Sequence, residues 1–122
     1  MFNFIHGEDI PLGSFEQMVM TAIISLRENA YGVTIYEKLR EMGKHRANWG
    51  AMYLTLKRLD KKKYIQSRTG EPTRARGGKS KKFFTLTEAG ERALAATIKT
   101  YERYAEVFDE AGGRRRWPKL AK

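Results

Sequence analysis

Cysteine is absent from the 122 residues. That excludes disulfides, thiolate zinc sites and cysteine nucleophiles, and it is compatible with a reducing cytoplasm. Histidine is scarce: only His6 and His45 occur. His6 falls in a loose N-terminal arm and His45 in a basic turn, and neither has a carboxylate-rich or nucleophile-bearing neighbourhood. No catalytic constellation or metal set can be assembled from such a chain, so an enzyme is the weakest reading and no cofactor is expected. No apolar run approaches the ~20 residues needed to span a membrane. The apolar start Met1-Phe2-Asn3-Phe4-Ile5 is too short for a signal peptide and lacks its basic leading segment.

What the chain has is positive charge, and it is unevenly placed. The formal net charge is +10, which points to a polyanionic partner. Between Arg40 and Lys82 stand 14 Lys and Arg against 3 Asp and Glu, a local +11. The remainder holds 10 basic and 11 acidic residues, a net of −1.

The basic stretch opens with Asn48-Trp49-Gly50-Ala51-Met52-Tyr53-Leu54-Thr55-Leu56-Lys57-Arg58-Leu59. At helical spacing, Trp49, Met52, Leu56 and Leu59 fall on one side, and Gly50, Leu54, Lys57, Arg58 and Lys61 on the other. The first side packs on a core. The second offers small residues for close approach, an exposed Leu54 suited to a thymine methyl, and several cations. A helix that lies in the major groove of DNA needs such a face. An ordinary amphipathic helix with a solvated cationic face is the competing reading.

Next come two runs rich in aromatic and β-branched residues, Tyr64 to Thr69 and Lys81 to Leu86, which read as strands. The segment between them contains Gly70, Pro72, Gly77 and Gly78 and therefore turns. It also carries Arg74, Arg76 and Lys79. A basic hairpin directly after a basic helix is the wing of a winged helix, resting on phosphates or in the minor groove.

Gly50 to Asp60 resembles the recognition-helix pattern of the PadR family. Lys82-Phe83-Phe84-Thr85-Leu86-Thr87-Glu88-Ala89-Gly90 is similar to that family's strand-to-helix run, and Ala30-Tyr31-Gly32 stands where the family has Tyr-Gly before its second helix. The resemblance covers roughly Leu12 to Phe108. Two departures are Lys63, where the family usually has a helix-ending Gly, and Phe83-Phe84 in place of paired tyrosines. The resemblance implies a regulator that dimerises through its last helix and, in some relatives, holds a drug-sized effector at the dimer interface. Leu94, Ile98 and Tyr101 stand at the matching positions, with no Trp among them; a core or dimer seam outweighs a ligand box there.

Before this unit, residues 1–11 form an arm. Ser14 with Gln17 makes a capping box for a first helix running to about Asn29. Its buried face is Phe15, Met18, Val19, Ala22, Ile23 and Leu26, with Met20 and Ile24 on another side, suited to a partner subunit or to solvent. Asn29 to Gly32 is a turn. A second helix runs from about Val33 to Met42, with Ile35, Tyr36, Leu39 and Met42 inward and Gly43 ending it. Asn48 caps the recognition helix, about 48–62. After the wing (about 70–81), Thr87 caps a fourth helix with Glu88 and Glu91 in its first turn. Its Leu94, Ile98, Tyr101, Ala105 and Phe108 are spaced as a heptad seam. Pairing with a two-fold partner and folding back on the first helix both fit that seam. The tail Arg114-Arg115-Arg116-Trp117-Pro118-Lys119 is solvated or reaches DNA.

The sequence thus predicts a mainly α fold with a small β-hairpin: a winged helix-turn-helix plus a long C-terminal dimerisation helix. The divisions are an arm at 1–11, the DNA-binding domain at 12–87, the dimerisation helix at 88–111 and a basic tail at 112–122. The expected function is sequence-specific binding of double-stranded DNA by a cytoplasmic, nucleoid-associated homodimer; that it acts as a transcriptional repressor is what the PadR resemblance implies. Base reading falls to Asn48, Trp49, Ala51, Leu54, Thr55 and Arg58, with Gly50 allowing close approach. Phosphate contacts fall to Tyr53, Lys57, Lys61, Arg74, Arg76, Lys79 and Lys81. A non-specific architectural DNA-binding protein and a winged helix that binds an acidic protein are the rivals.

Overall fold

The computed structural model describes residues 12–43, 47–70 and 80–116. Along the chain run α1 (Ser14–Leu26), a 3₁₀ turn (Arg27–Asn29), α2 (Gly32–Gly43), α3 (Trp49–Lys61), β1 (Ile65–Thr69), β2 (Lys82–Leu86), α4 (Glu88–Glu110) and α5 (Gly113–Arg116). The expected mainly helical fold with one antiparallel hairpin is the fold observed. The arm at 1–11, the turn Lys44-His45-Arg46, the wing residues Arg74, Arg76 and Lys79, and the tail from Trp117 onward lie outside the described residues.

The N-terminal cap of α1 lies one residue earlier than expected. Gly13 is the cap, and its amide donates to the Glu16 carboxylate at 3.0 Å. Gln17 is otherwise engaged, its side-chain amide donating to the Leu12 carbonyl at 2.7 Å.

Helix α1 touches α2, α3, β2 and α4, so it is buried over a wide arc. Met20, expected on another side, is fully buried with Val19, Ala22 and Ile23. Only Ile24 of the second apolar set stays exposed. Helix α2 contributes Ile35 and Leu39 to the same core, while Met42, expected inward, is exposed. Truncating a fully buried residue such as Leu39 to Ala costs on the order of 2–5 kcal/mol.

The junction from α3 to the hairpin fixes where the hairpin points. Lys62 is the C-cap, and Lys63 follows with φ +64°. The Lys63 amide donates to Asp60 O at 3.0 Å and the Tyr64 amide to Leu59 O at 2.9 Å. Both bonds belong to a Schellman motif, and buried Leu59 and Tyr64 supply its apolar contact. The left-handed position that usually needs glycine is held here by a lysine.

Strands β1 and β2 pair from Ile65 opposite Leu86 to Thr69 opposite Lys82. A third segment joins them: Tyr31 bridges to Phe83, and the Phe84 amide donates to Ala30 O at 2.8 Å. The sequence placed a plain turn there. Thr87 then caps α4, accepting from the Gly90 amide at 3.0 Å and donating to Lys63 O at 2.6 Å. Gly90 packs so close to the chain that a Cβ there would stand 2.0 Å from Tyr64 O. One threonine and one glycine therefore lock α4 to the end of α3.

Candidate nucleic-acid interface

Helix α3 starts on Asn48, whose side chain accepts from the Ala51 amide at 2.9 Å. Buried Met52, Leu56 and Leu59 anchor it. Thr55 is buried with them, at 3% exposure. It was expected on the reading face; its spacing three residues from Met52 and four from Leu59 places it inside, and it leaves the set of base-contacting candidates. Trp49, expected to pack inward, is 42% exposed. Its ring meets Tyr36 edge-on at 5.1 Å and Tyr53 at 5.3 Å.

Gly50, Tyr53, Leu54, Lys57, Arg58 and Lys61 are exposed and Ala51 half-buried. Leu54, at 56%, is the most exposed large apolar side chain of the helix. By helical geometry Gly50, Leu54, Lys57 and Lys61 form the centre of the outer face, with Ala51 and Arg58 on one flank. That flank looks toward α1. Burial alone would raise the pKa of Glu16, but hydrogen bonds from Lys62 and Gly13 and the charges of Lys62 and Arg58 outweigh it and hold the carboxyl below its ordinary range. The Lys62–Glu16 bond is 2.7 Å and ties the end of α3 to the start of α1.

The root of the wing is ordered by rings. Arg68, opposite Phe83 in the register, lies 4.6 Å over the centre of the Phe83 ring. The Lys81 ammonium lies 4.3 Å over Tyr31. Tyr31 and Phe83 meet edge-on at 5.5 Å. Sequence reasoning missed Arg68 and the two rings. The signal was present: strand alternation from an inward Ile65 turns Arg68 outward.

The seam expected on α4 divides. Leu94 is taken up by the chain's own core, at 5% exposure. Ile98, Tyr101, Ala105 and Phe108 are exposed, as are Tyr104 and Val107. Beyond Gly112, whose φ is +82°, α5 turns back so that Gly113 is covered by the Phe108 ring, and Arg114 forms a two-pronged ion pair with Asp109. Among the described residues no group of three or more His, Cys, Asp or Glu could hold a metal ion. No described helix is long and apolar enough to cross a membrane.

A helix-turn-helix followed by a two-stranded wing and a long C-terminal helix defines a winged-helix protein of the regulator type. The model of the transcriptional regulator PadR-like family matches residues 21–96, more than half of the sequence, and the chain belongs to that family. Its function is accordingly that of a DNA-binding transcription regulator, not an enzyme. The chain is similar in fold to a PadR family transcription regulator from Clostridium difficile, with 24% identity, a TM-score of 0.63, and 82% of this chain and 100% of that one covered. A PadR-like transcriptional regulator from Bacillus cereus aligns at 22% identity and a TM-score of 0.65, covering 80% of this chain and 89% of that one. A PadR family regulator from Eggerthella lenta aligns at 22% identity and 0.62, covering 78% and 80%. No curated protein matches the sequence.

Proposed function

We propose that the chain is a dimeric, sequence-specific repressor acting on chromosomal DNA in the cytoplasm. The observation that carries the reading is the outer face of α3. It joins two small residues, an exposed leucine and three cations on a helix anchored from the opposite side by Met52, Leu56 and Leu59. Leu54 at the centre of that face meets a thymine methyl, while Asn48, Trp49, Ala51 and Arg58 reach base edges from the helix start and the α1-facing flank. Tyr53, Lys57, Lys61 and Lys81 take phosphates, together with wing residues Arg74, Arg76 and Lys79.

The dimer reading is supported by the distal half of α4. Ile98, Tyr101 and Phe108 are 46%, 48% and 40% exposed on one helix that has left its own core behind. A second copy covering this stripe places two reading helices about one DNA turn apart. An effector, if the dimer takes one, would meet Ile98 and Tyr101 at that interface and not the buried Leu94. The repressor assignment rests on the resemblance to the PadR family and on no single residue.

The test is a competition titration at about 150 mM salt between DNA from upstream of the protein's gene and an unrelated duplex, where a preference of about 10³-fold or more is expected. Arg58→Ala should lose about 1–3 kcal/mol of that discrimination. Lys57→Ala should weaken both duplexes alike. Equal binding of both duplexes, with a random-sequence selection also finding no preferred site, would leave an architectural role instead.

A further inference from the structure

The outer face of the hairpin carries contacts that the reading helix does not explain. On β1 Gln66 and Arg68 turn outward; on β2 their partners are Thr85 and Phe83. Gly70 closes the ladder, its amide donating to Lys81 O at 2.7 Å. The Phe83 ring fills the space over that glycine: a Cβ on Gly70 would stand 2.6 Å from the ring. Phe83 is therefore held from below by backbone and from the side by Tyr31. Over these two fixed rings lie two cations, Arg68 and Lys81.

Among the described residues neither Arg68 nor Lys81 is in an ion pair; the pairs there are Lys38–Glu41, Lys62–Glu16, Arg92–Glu88 and Arg114–Asp109. A guanidinium stacked on a ring uses its flat face and keeps its in-plane N–H donors for another acceptor. The rings continue toward the reading helix. Tyr31 directly precedes Gly32, where a Cβ would stand 2.6 Å from the Tyr53 hydroxyl of α3.

We propose that Phe83 and Tyr31 are positioning residues that hold Arg68 and Lys81 as a preorganised pair of DNA-phosphate contacts. The root of the wing then tracks the backbone in line with α3. This rests on the DNA-binding reading above and adds Arg68 and the two rings to it. Holding a long cation on a ring removes rotamer freedom before binding, so less is lost when the phosphate arrives.

The experiment is fluorescence anisotropy of the full chain on a labelled random-sequence 30-base-pair duplex, since phosphate contacts need no operator, at five salt concentrations. Arg68→Gln and Lys81→Gln should each flatten the slope of log affinity against log salt by about 0.9 per phosphate contact. Phe83→Leu should lower affinity about two- to five-fold with the slope kept, as expected when an exposed cation–ring contact is lost but the cation remains. Phe83→Tyr keeps a ring and should restore affinity; Tyr31→Leu repeats the test for Lys81. Lys57→Gln on α3 is the control. If Lys57→Gln flattens the slope and neither Arg68→Gln nor Lys81→Gln does, the pair is not at the DNA and the proposal fails while the reading helix stands. If Phe83→Leu and Tyr31→Leu lower only the melting temperature, the rings serve the sheet alone and the positioning role fails. If none of the lysine and arginine variants changes the slope, the whole DNA-facing assignment falls.

Discussion

Replacing Lys63 by glycine should make this protein more stable, although it removes a side chain and adds backbone freedom. Lys63 has φ +64° at the turn that ends α3. For an L-residue with a Cβ this left-handed geometry costs about 1–2 kcal/mol, which glycine escapes. Against that, glycine enlarges the unfolded ensemble, a loss of about 0.4–1 kcal/mol. At the middle of each range the net gain is about 0.8 kcal/mol, or about 2–4 °C in melting temperature for a chain of this size. Both backbone bonds of the turn, Lys63 to Asp60 O and Tyr64 to Leu59 O, are retained. Lys63→Ala is the control, because it removes the same charge and keeps the strained geometry. Thermal and urea melts of wild type, Lys63→Gly and Lys63→Ala at one protein concentration give the answer. A Lys63→Gly variant no more stable than Lys63→Ala would refute the argument from backbone strain. The turn also aims the hairpin relative to α3, so Lys63→Gly and Lys63→Ala should bind DNA equally well.

Three further outcomes follow from the same geometry. Gly90→Ala should cost about 2–3 kcal/mol, because its methyl would stand 2.0 Å from Tyr64 O and α4 would have to shift; an unchanged melting curve would show that α4 docks differently. Glu16, with its folded pKa held below the ordinary 4.5, contributes stability that is present above that value and lost as pH falls through the folded pKa. Glu16→Gln should therefore trail wild type in urea melts at pH 7 and converge with it in acid, and a gap that stays constant down to pH 3 would contradict the sign. If the proposed dimer forms through α4, Tyr101→Glu, on an exposed position of that helix, should halve the sedimenting mass without loss of helix content; a wild type of monomer mass would refute the dimer, and a variant that keeps the dimer mass would refute its placement on α4.

The elements that a local rule dictates were legible in the sequence. Asn48 and Thr87 are caps because a short polar side chain precedes an apolar-periodic run, and both bond as caps. The two strands differ from their expected bounds by one residue at one end each. What was not legible depends on contacts between distant segments. Met20 is buried because four elements surround α1, and periodicity along one helix cannot count its neighbours. Tyr31 joins the sheet through Phe83, 52 positions away, while its own neighbours read as a turn. For Thr55 chemistry and spacing disagree: its hydroxyl suits a hydrogen bond at DNA, while its place between Met52 and Leu59 turns it inward, and it is buried. At the α1 cap, Gly13 with Glu16 prevails over Ser14 with Gln17 because Glu16 also gains Lys62, 46 positions away.

The most direct test of the central claim is a selection of random duplexes by the purified protein, with the enriched pool sequenced. A two-fold dimer reading with both α3 helices should enrich an inverted repeat whose half-sites lie about 10 base pairs apart, centre to centre. Repeating the selection with Arg58→Ala should relax sequence preference within each half-site and leave their spacing intact. A pool that stays random under wild-type protein, despite tight salt-dependent binding, would contradict the claim that α3 reads sequence.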